Sequence, residues 1–229
     1  MKEFELLSDI YSRSKELPES ITLGPGDDMG ELLLGEQPLL AAVDQLVLGL
    51  HVEIDDPPEL VGRKAIARCF SDIAAMAGTP IGCLMTACLP TKTEGFDEAW
   101  AMQVFEAARH IAQEWNGPIF GGDIAVCDNM PPHFSVTAIA KPPETGAIKR
   151  SGSQINDYVC VTGELGNSKQ SHHLTFTPRI KEAHALLADL KDDLHAMIDI
   201  SDGLGQDASH LASDSLRIEI DTTLLPCRN

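Results

Sequence analysis

The hydrophobic pattern predicts three helices in the first half of the chain. Phe4, Leu7 and Tyr11 fall on one side of a short N-terminal helix. Longer helical patterns cover roughly 59–77 and 97–115, and Pro or Gly residues stand at the ends of each. These positions predict helices that bury one face and leave the other in solvent.

Apolar runs predict strands around these helices. The run from Leu39 to Leu48 is nearly continuous, which predicts a strand buried on both faces. Runs at 81–89 and 134–140 predict two further strands. A Gly-Gly-Asp sequence at 121–123 is interpreted as a turn that follows a short strand at 119–120.

A Pro/Gly cluster at 141–146 predicts a linker between two units. The pattern after it alternates between strands and helices: strands at 158–161, 196–200 and 216–220, helices at 178–190 and from about 204. We therefore expect an α+β fold of two domains. Residues 1–141 would form an N-terminal mixed sheet with helices, and 147–229 a shortened C-terminal α/β unit.

Charge and cysteine content narrow the function classes. The 229 residues include 35 acidic and 17 basic side chains, a formal charge of −18. This balance argues against a nucleic-acid or anionic-membrane partner, because both require a basic surface. No run reaches the ~20 apolar residues of a membrane helix. Six cysteines without paired CxxC spacing, and an acidic start without a signal peptide, predict a cytoplasmic protein with free thiols.

Five short motifs place aspartates at the edge of, or inside, apolar segments. They cover 24–28, 43–47, 71–76, 121–123 and 198–203. A carboxylate beside an apolar core is unfavourable unless a cation compensates it, and no comparable set of Lys or Arg adjoins these motifs. Carboxylates of this kind bind Mg²⁺, which proteins usually hold together with substrate phosphates. The pattern therefore predicts a site for phosphoryl transfer from a Mg-nucleotide.

The individual aspartates differ in how strongly they indicate a ligand. Asp72 stands mid-helix on the apolar face with Cys69 and Met76, where an unpaired acid is rare. Asp44 interrupts an otherwise apolar strand. Asp28 follows Gly-Pro-Gly-Asp, a motif that taken alone favours a turn over a ligand. The glycines before Asp123 could either let the backbone approach a phosphate or merely make a bend.

The motif at 198–203 and the histidines leave further alternatives open. Ser201 and Asp202 are both good helix N-caps, although one cap does not explain Asp199 as well. The eight histidines lack metal-ligand spacing, and His172-His173 is expected to be solvated. His51 alone lies near the acidic set, a few residues after Asp44.

In this order the motifs resemble those of the thiamine-monophosphate kinases, within the superfamily of aminoimidazole ribonucleotide synthetase. The shared residues run over nearly the whole chain. They include Glu3-Phe4, Gly-Pro-Gly-Asp-Asp (24–28), Val-Asp-Gln-Leu-Val-Leu-Gly-Leu-His (43–51), Gly-Arg-Lys-Ala (62–65), Ser-Asp-Ile-Ala-Ala-Met-Ala-Gly (71–78), Gly-Gly-Asp (121–123), Arg-Ser-Gly (150–152), Asp-Tyr-Val (157–159), Val-Thr-Gly (161–163), Thr-Pro-Arg (177–179) and Ile-Asp-Ile-Ser-Asp-Gly-Leu (198–204).

The resemblance implies transfer of the ATP γ-phosphate to thiamine monophosphate, giving thiamine diphosphate, by a cytoplasmic homodimer whose N-terminal sheets meet. It implies several Mg²⁺ ions, ATP as co-substrate and no named general base. His51 would lie at the thiamine phosphate. The implied metal ligands are Asp28, Asp44, Asp72, Asp123, Asp199 and Asp202, and the implied ATP contacts are Gly122, Asp123, Arg150 and Ser201.

The chain departs from the family pattern in ways that favour other interpretations. Ala42-Val43 and Ile124-Ala125 stand where the family has hydroxyl side chains. The late Gly-Gly-Glu-Asp-Tyr-Glu-Leu-like motif and a final substrate-stacking aromatic are not found before Asn229, so part of the metal shell and substrate pocket is expected to be missing. The alternative is a non-catalytic nucleotide- or metal-binding homologue. Another enzyme of the superfamily is disfavoured, since its characteristic cysteines are not found.

Overall fold

A six-stranded mixed sheet organises the first part of the chain. The computed structural model describes residues 3–14, 16–90, 95–128, 130–170, 172–213 and 215–228. The strand order is β1-β2-β3-β6-β4-β5, with β4 and β5 parallel and every other pair antiparallel. The strands are β1 (Ile21–Leu23), β2 (Gly30–Leu34), β3 (Gln37–Val47), β4 (Thr79–Leu89), β5 (Ile119–Val126) and β6 (His133–Lys141).

Two long helices form a layer against this sheet: α2 (Pro58–Ala75) and α3 (Glu98–Glu114). A shorter helix, α1 (Glu3–Arg13), comes before the first strand in the sequence. Asp97 caps α3 by accepting a hydrogen bond from the Trp100 amide at 2.8 Å, as its position predicts. The two helices approach closely at Gly62, where a Cβ atom would lie 2.1 Å from a carbonyl oxygen of α3. All three predicted helices are confirmed.

The core lies between the inner face of the sheet and α2. Leu46, Phe134 and Val136 point from the strands towards Ile66 and Phe70, and all five side chains are almost fully buried. The expectation that β3 is buried on both faces is wrong, because Val43 is 65% exposed. No second layer of described residues covers that side of the strand. Its apolar residues therefore leave an open apolar face.

The Gly-Gly-Asp sequence does not form the expected turn, because residues 121–123 lie inside β5. Strand β5 pairs with β4 in parallel along its length. A Cβ atom on Gly122 would lie 1.8 Å from the Met85 carbonyl oxygen, so this glycine is required by the close approach of two backbones. The strand predicted at 119–120 is correspondingly longer than expected.

The part of the chain after residue 141 contains helices but, among its described residues, no strand. It comprises α4 (His172–Thr175), α5 (Ile180–Leu190) and α6 (Leu204–Ser209). The strands predicted at 158–161, 196–200 and 216–220 are wrong. The described residues of these segments make only isolated backbone contacts, such as Met197 with Lys149 and Leu216 with Ser213, and none of them extends into a strand ladder. The α+β class is confirmed, whereas the division into 1–141 and 147–229 stays a prediction.

Within the described residues, no helix has the length and apolar character required to cross a membrane.

Candidate functional site

Three aspartates from distant parts of the sequence converge at one point of the molecule. Asp28 lies in the loop before β2, Asp72 in the last turns of α2, and Asp199 in the extended segment before α6. Each offers a carboxylate oxygen, and the three oxygens lie within 4.8 Å of one another. The structure therefore brings together three of the six predicted metal ligands.

Local hydrogen bonds fix the loop that carries Asp28. The Met29 amide lies 3.2 Å from Sδ of Met76, just beyond the end of α2. The Asp27 carboxylate accepts hydrogen bonds from the Asp28 amide at 3.0 Å and from the Arg150 amide at 3.2 Å. Asp27 therefore acts as the turn residue of this motif, which leaves Asp28 to face the cluster.

Burial raises the pKa of all three clustered carboxyl groups. For Asp72, burial is the main cause and the charges of Asp44, Asp199 and Asp28 add to it, which holds its pKa well above the ordinary value. Burial raises the pKa of Asp199 to about 7, reinforced by the charge of Asp28. Acids in this state are stabilised by any cation that enters among them.

One guanidinium compensates part of this charge. Arg150 donates a hydrogen bond to Oδ1 of Asp28 at 2.5 Å, and the Asp28 side chain is only 1% exposed. Burial nevertheless raises the pKa of Asp28, which Arg150 opposes. The expectation that no Lys or Arg adjoins the acids is thus wrong for Asp28, and Arg150 lies at the acidic cluster.

Oδ2 of Asp28 is buried and has no hydrogen-bond partner in the described part of the chain. An unpaired carboxylate oxygen in such a position is unfavourable unless a cation or water binds it. The carboxylates of Asp28, Asp72 and Asp199 form an all-oxygen donor set, which suits Mg²⁺. The residues present therefore fit a divalent cation of this kind.

Asp44 lies beside this cluster rather than within it. It projects from the inner face of β3, and its carboxylate lies 3.5 Å from the Arg68 guanidinium on α2. Burial raises the pKa of Asp44 while the charge of Arg68 lowers it. Its charge also raises the pKa of Asp72, so the two carboxylates act on the same region.

Asp123 stands apart from the cluster. It is exposed on β5, the last strand in the sheet order, while Asp44 is on β3 with β6 and β4 between them. Strand pairing aligns Asp123 with Thr86 and Ser135, and Asp44 with the neighbouring Val136. Within one chain the two acids therefore point to opposite faces of the sheet.

Ser201 and Asp202 follow Asp199 after the intervening Ile200, and both are exposed. Neither side chain caps α6, whose N-cap residue is Gly203. Asp207, inside α6, instead accepts hydrogen bonds from the backbone of this loop. The sequence interpretation missed Asp207; the available signal was an acid in the first turn of a helix that follows a glycine.

His51 is held by its backbone neighbourhood in one tautomer. Its Nδ1 accepts a hydrogen bond from the Val47 amide at 2.9 Å, so the neutral ring carries its proton on Nε2. Burial lowers the pKa of His51, and the charges of Arg68 and Lys64 lower it further. His51 therefore presents a neutral Nε2–H donor.

Lys64, 8% exposed, joins the His51 loop to α4. Its ammonium group donates to the His51 carbonyl oxygen and lies 2.6 Å from Nδ1 of His173. Burial lowers the pKa of Lys64 to about 8, and the charge of Arg68 contributes. The expectation that His173 is simply solvated is therefore wrong.

Comparison with known proteins gives consistent matches over this architecture. The model of the family "AIR synthase related protein, N-terminal domain" matches residues 26–142. The thiamine-monophosphate kinase of Rhodopirellula baltica is 33% identical over 98% of this chain and 71% of its own length. That of Mycobacterium tuberculosis is 30% identical over 97% of this chain and 70% of its own.

A solved structure described as AaThiL complexed with AMPPCP and TMP is similar throughout the described fold. It superposes with a TM-score of 0.77 at 27% identity, covering 92% of this chain and 69% of the other. The chain thus spans about 70% of the length of the proteins it matches.

Proposed function

Because this chain belongs to the AIR synthase related proteins and, among them, to the thiamine-monophosphate kinase family, we propose that it transfers the γ-phosphate of ATP to thiamine monophosphate in a Mg²⁺-dependent reaction. The product would be thiamine diphosphate. The carboxylate cluster of Asp28, Asp72 and Asp199, with its unpaired Asp28 oxygen, is the observation that carries this proposal. The similar structure of AaThiL, a complex with AMPPCP and TMP, supports the same pair of substrates.

The clustered acids would hold Mg²⁺, and Asp44 lies close enough to act on the same region. Bound Mg²⁺ neutralises phosphate oxygens and aligns them for in-line transfer. The Nε–H group of Arg150 is buried and has no hydrogen-bond partner in the described structure, so it is available to a ligand. It supplies positive charge next to Asp28, where the phosphates of ATP would meet the metal. Ser201 and Asp202 are exposed close to Asp199 in the sequence. In this proposal Ser201 would contact ATP and Asp202 would be a further metal ligand.

His51 would contact the phosphate acceptor, thiamine monophosphate. Its neutral Nε2–H donates without adding a positive charge, which suits orientation of thiamine monophosphate. Phosphoryl transfer requires positioning and charge neutralisation more than a covalent intermediate, so we assign no general base.

The proposal includes a homodimer of this chain. Strand β5 ends the sheet order, and the exposed apolar side chains of Phe120 and Ile124 lie on it. A second copy pairing there would cover this surface and bring Asp123 and Gly122 towards a partner's cluster. Ile124→Lys should then lower the sedimentation coefficient to that of a monomer, whereas Leu190→Lys on α5 should leave it unchanged. All six cysteines are free, which supports a reducing, cytoplasmic location.

A non-catalytic binding protein is the second candidate. Asp123 is distant from the cluster within the chain, and the hydroxyl ligands expected near Asp44 are replaced by Ala42 and Val43. A protein with this metal shell would bind Mg-nucleotide without turnover. Turnover therefore decides between the two candidates.

The first experiment is thermal unfolding with Mg²⁺ and AMPPCP, then with thiamine monophosphate added. A ligand that binds only the folded state adds about 2.7 kcal/mol of stability at a hundredfold excess over Kd. A nucleotide shift that grows with thiamine monophosphate, followed by ADP formation from ATP, supports the kinase. A nucleotide shift without ADP formation supports the binding protein. No shift with either ligand contradicts both.

A further inference from the structure

Asp207 is a buried carboxylate that reaches back from α6 onto the loop before it. Asp207 is only 4% exposed. Oδ2 of Asp207 accepts three backbone hydrogen bonds, from Ser201 at 2.9 Å, Asp202 at 3.1 Å and Gly203 at 2.9 Å. Three donors on one carboxylate oxygen compensate its burial, and charge-assisted hydrogen bonds of this kind are stronger than neutral ones.

This arrangement fixes the loop before α6 and differs from the usual side-chain cap of a helix. The first amides of a helix are ordinarily satisfied by the side chain of the residue just before it. Here that residue is Gly203, at φ +120°, a conformation that favours glycine. Asp207 instead binds the amides of Gly203 and of the two residues before it, which precede the first turn of α6. The side chains of Ser201 and Asp202 are consequently not used for capping.

We propose that Asp207 is a positioning residue for the nucleotide end of the site. By holding three consecutive amides, it fixes the backbone from 201 to 203, and thereby the direction in which Ser201 and Asp202 present their side chains beside Asp199. The inference rests on the proposed function, because it assigns Asp207 to the same Mg-nucleotide site. Asp207 itself contacts neither metal nor substrate in this scheme.

The geometry also explains why a carboxylate stands at this position. An apolar residue would leave the three amides without their acceptor. Asparagine keeps one amide oxygen as an acceptor but loses the charge, so it should preserve part of the arrangement. A graded series from Asp through Asn to Ala is therefore expected.

The test compares Asp207→Asn and Asp207→Ala with Asp221→Ala. Asp221 also accepts a backbone hydrogen bond, from Thr223 at 2.9 Å, but it caps an exposed turn away from the cluster. Two kinds of measurement are made on the full chain. The first is hydrogen exchange of the amides at 201–203, and the second gives the Kd and KM for the Mg-nucleotide and the KM for thiamine monophosphate. Loss of such a supporting contact typically lowers metal affinity or activity by about 10–100-fold.

In Asp207→Ala we expect faster exchange at 201–203 and a rise of about tenfold or more in nucleotide Kd and KM. The KM for thiamine monophosphate should change less, Asp207→Asn should be intermediate, and Asp221→Ala should match the wild type. A purely structural cap would instead lower the thermal midpoint and the active fraction and leave nucleotide KM unchanged. That result, or unchanged exchange at 201–203, overturns the positioning role.

The proposed function can fail separately. If the wild-type chain binds no Mg-nucleotide, the proposed function is wrong and the positioning role is overturned with it, whatever the exchange data show. If the wild type binds nucleotide and Asp207→Ala binds it equally well, only the role of Asp207 is wrong.

Discussion

Arg150 satisfies one oxygen of Asp28 and leaves the other without a partner. The guanidinium lies 2.5 Å from Oδ1, while Oδ2 is buried and unpaired within the described structure. If Asp28 needed only charge compensation, a bidentate contact of both carboxylate oxygens with the same arginine would provide it. The one-sided contact leaves an unpaired acceptor on a residue of the cluster that also contains Asp72 and Asp199, where a cation would bind.

Replacing Asp72 by Asn should separate a metal ligand from a structural acid. The change removes a carboxyl group whose ionised form is disfavoured by burial and by its acidic neighbours, so the metal-free protein should be as stable as the wild type or more stable, by up to about 1 kcal/mol at pH 7.5. Mg-nucleotide affinity should fall at least about tenfold. Urea unfolding and nucleotide titration measure the two effects. Asp189→Asn, an exposed acid on α5, is the control and should change neither.

Removing the Arg150 side chain should destabilise the protein in a metal-dependent way. Arg150→Ala leaves Asp28 buried without its cationic partner, and breaking such a pair costs about 3–5 kcal/mol. Saturating Mg²⁺ should restore part of this loss, because the ion supplies the missing positive charge. Equal destabilisation with and without Mg²⁺ would show that no cation binds beside Asp28.

The metal-free protein should lose stability as pH rises through the acidic range. The pKa of Asp199 is raised from an ordinary 3.8 to about 7, so between these values the folded state binds more protons than the unfolded state. Unfolding free energy therefore falls as pH increases from about 4 to about 7. Denaturation midpoints at pH 5 and 7.5, measured with EDTA, test the direction. Asp199→Asn should flatten this dependence, and a midpoint that rises in the wild type would contradict it.

Lys64 should make the free energy of unfolding rise, rather than fall, with pH above about pH 8. Its folded-state pKa of about 8 lies below the ordinary 10.5, so the unfolded state binds more protons between these values. The contribution of Lys64 to stability should therefore rise from pH 8 to 10.5, by up to about 3 kcal/mol. The quantity to measure is the difference in unfolding free energy between the wild type and Lys64→Met. A flat difference would mean that the ammonium group is not destabilised by burial.

Gly122 and Gly121 should respond very differently to alanine. A Cβ at Gly122 would lie 1.8 Å from the Met85 carbonyl oxygen, whereas at Gly121 the nearest atom is a flexible Leu84 methyl group at 3.0 Å. Gly122→Ala should destabilise the protein by about 3 kcal/mol or more and Gly121→Ala by about 1 kcal/mol or less. Thermal unfolding checks this, and equal effects would contradict the strand-pairing explanation.

The helices of the first half were predictable from the sequence because several signals agree there. Proline precedes α2, Asp97 caps α3, and both show a clear apolar face. The convergence of Asp28, Asp72 and Asp199 was predicted from buried acids and a family resemblance. Their 4.8 Å grouping depends on tertiary folding that local pattern does not encode.

Other features could not be predicted from local sequence. Gly121-Gly122-Asp123 has turn composition, yet pairing with β4 places it in a strand. Val43 is apolar and exposed, because burial depends on what covers the sheet and not on the strand itself. The contact between Lys64 and His173 joins residues far apart in sequence, neither of which carries a motif for it.

Helix α2 connects the two ends of the proposed reaction path. Lys64 near its beginning holds the loop of the acceptor residue His51, and Asp72 near its end belongs to the acid cluster. At 1.5 Å per residue, these positions are about 12 Å apart along the axis. In the proposed reaction the helix would therefore set the spacing between the acceptor and the phosphate donor. Any change that tilts it, such as a larger residue at Gly62, would misalign both substrates together.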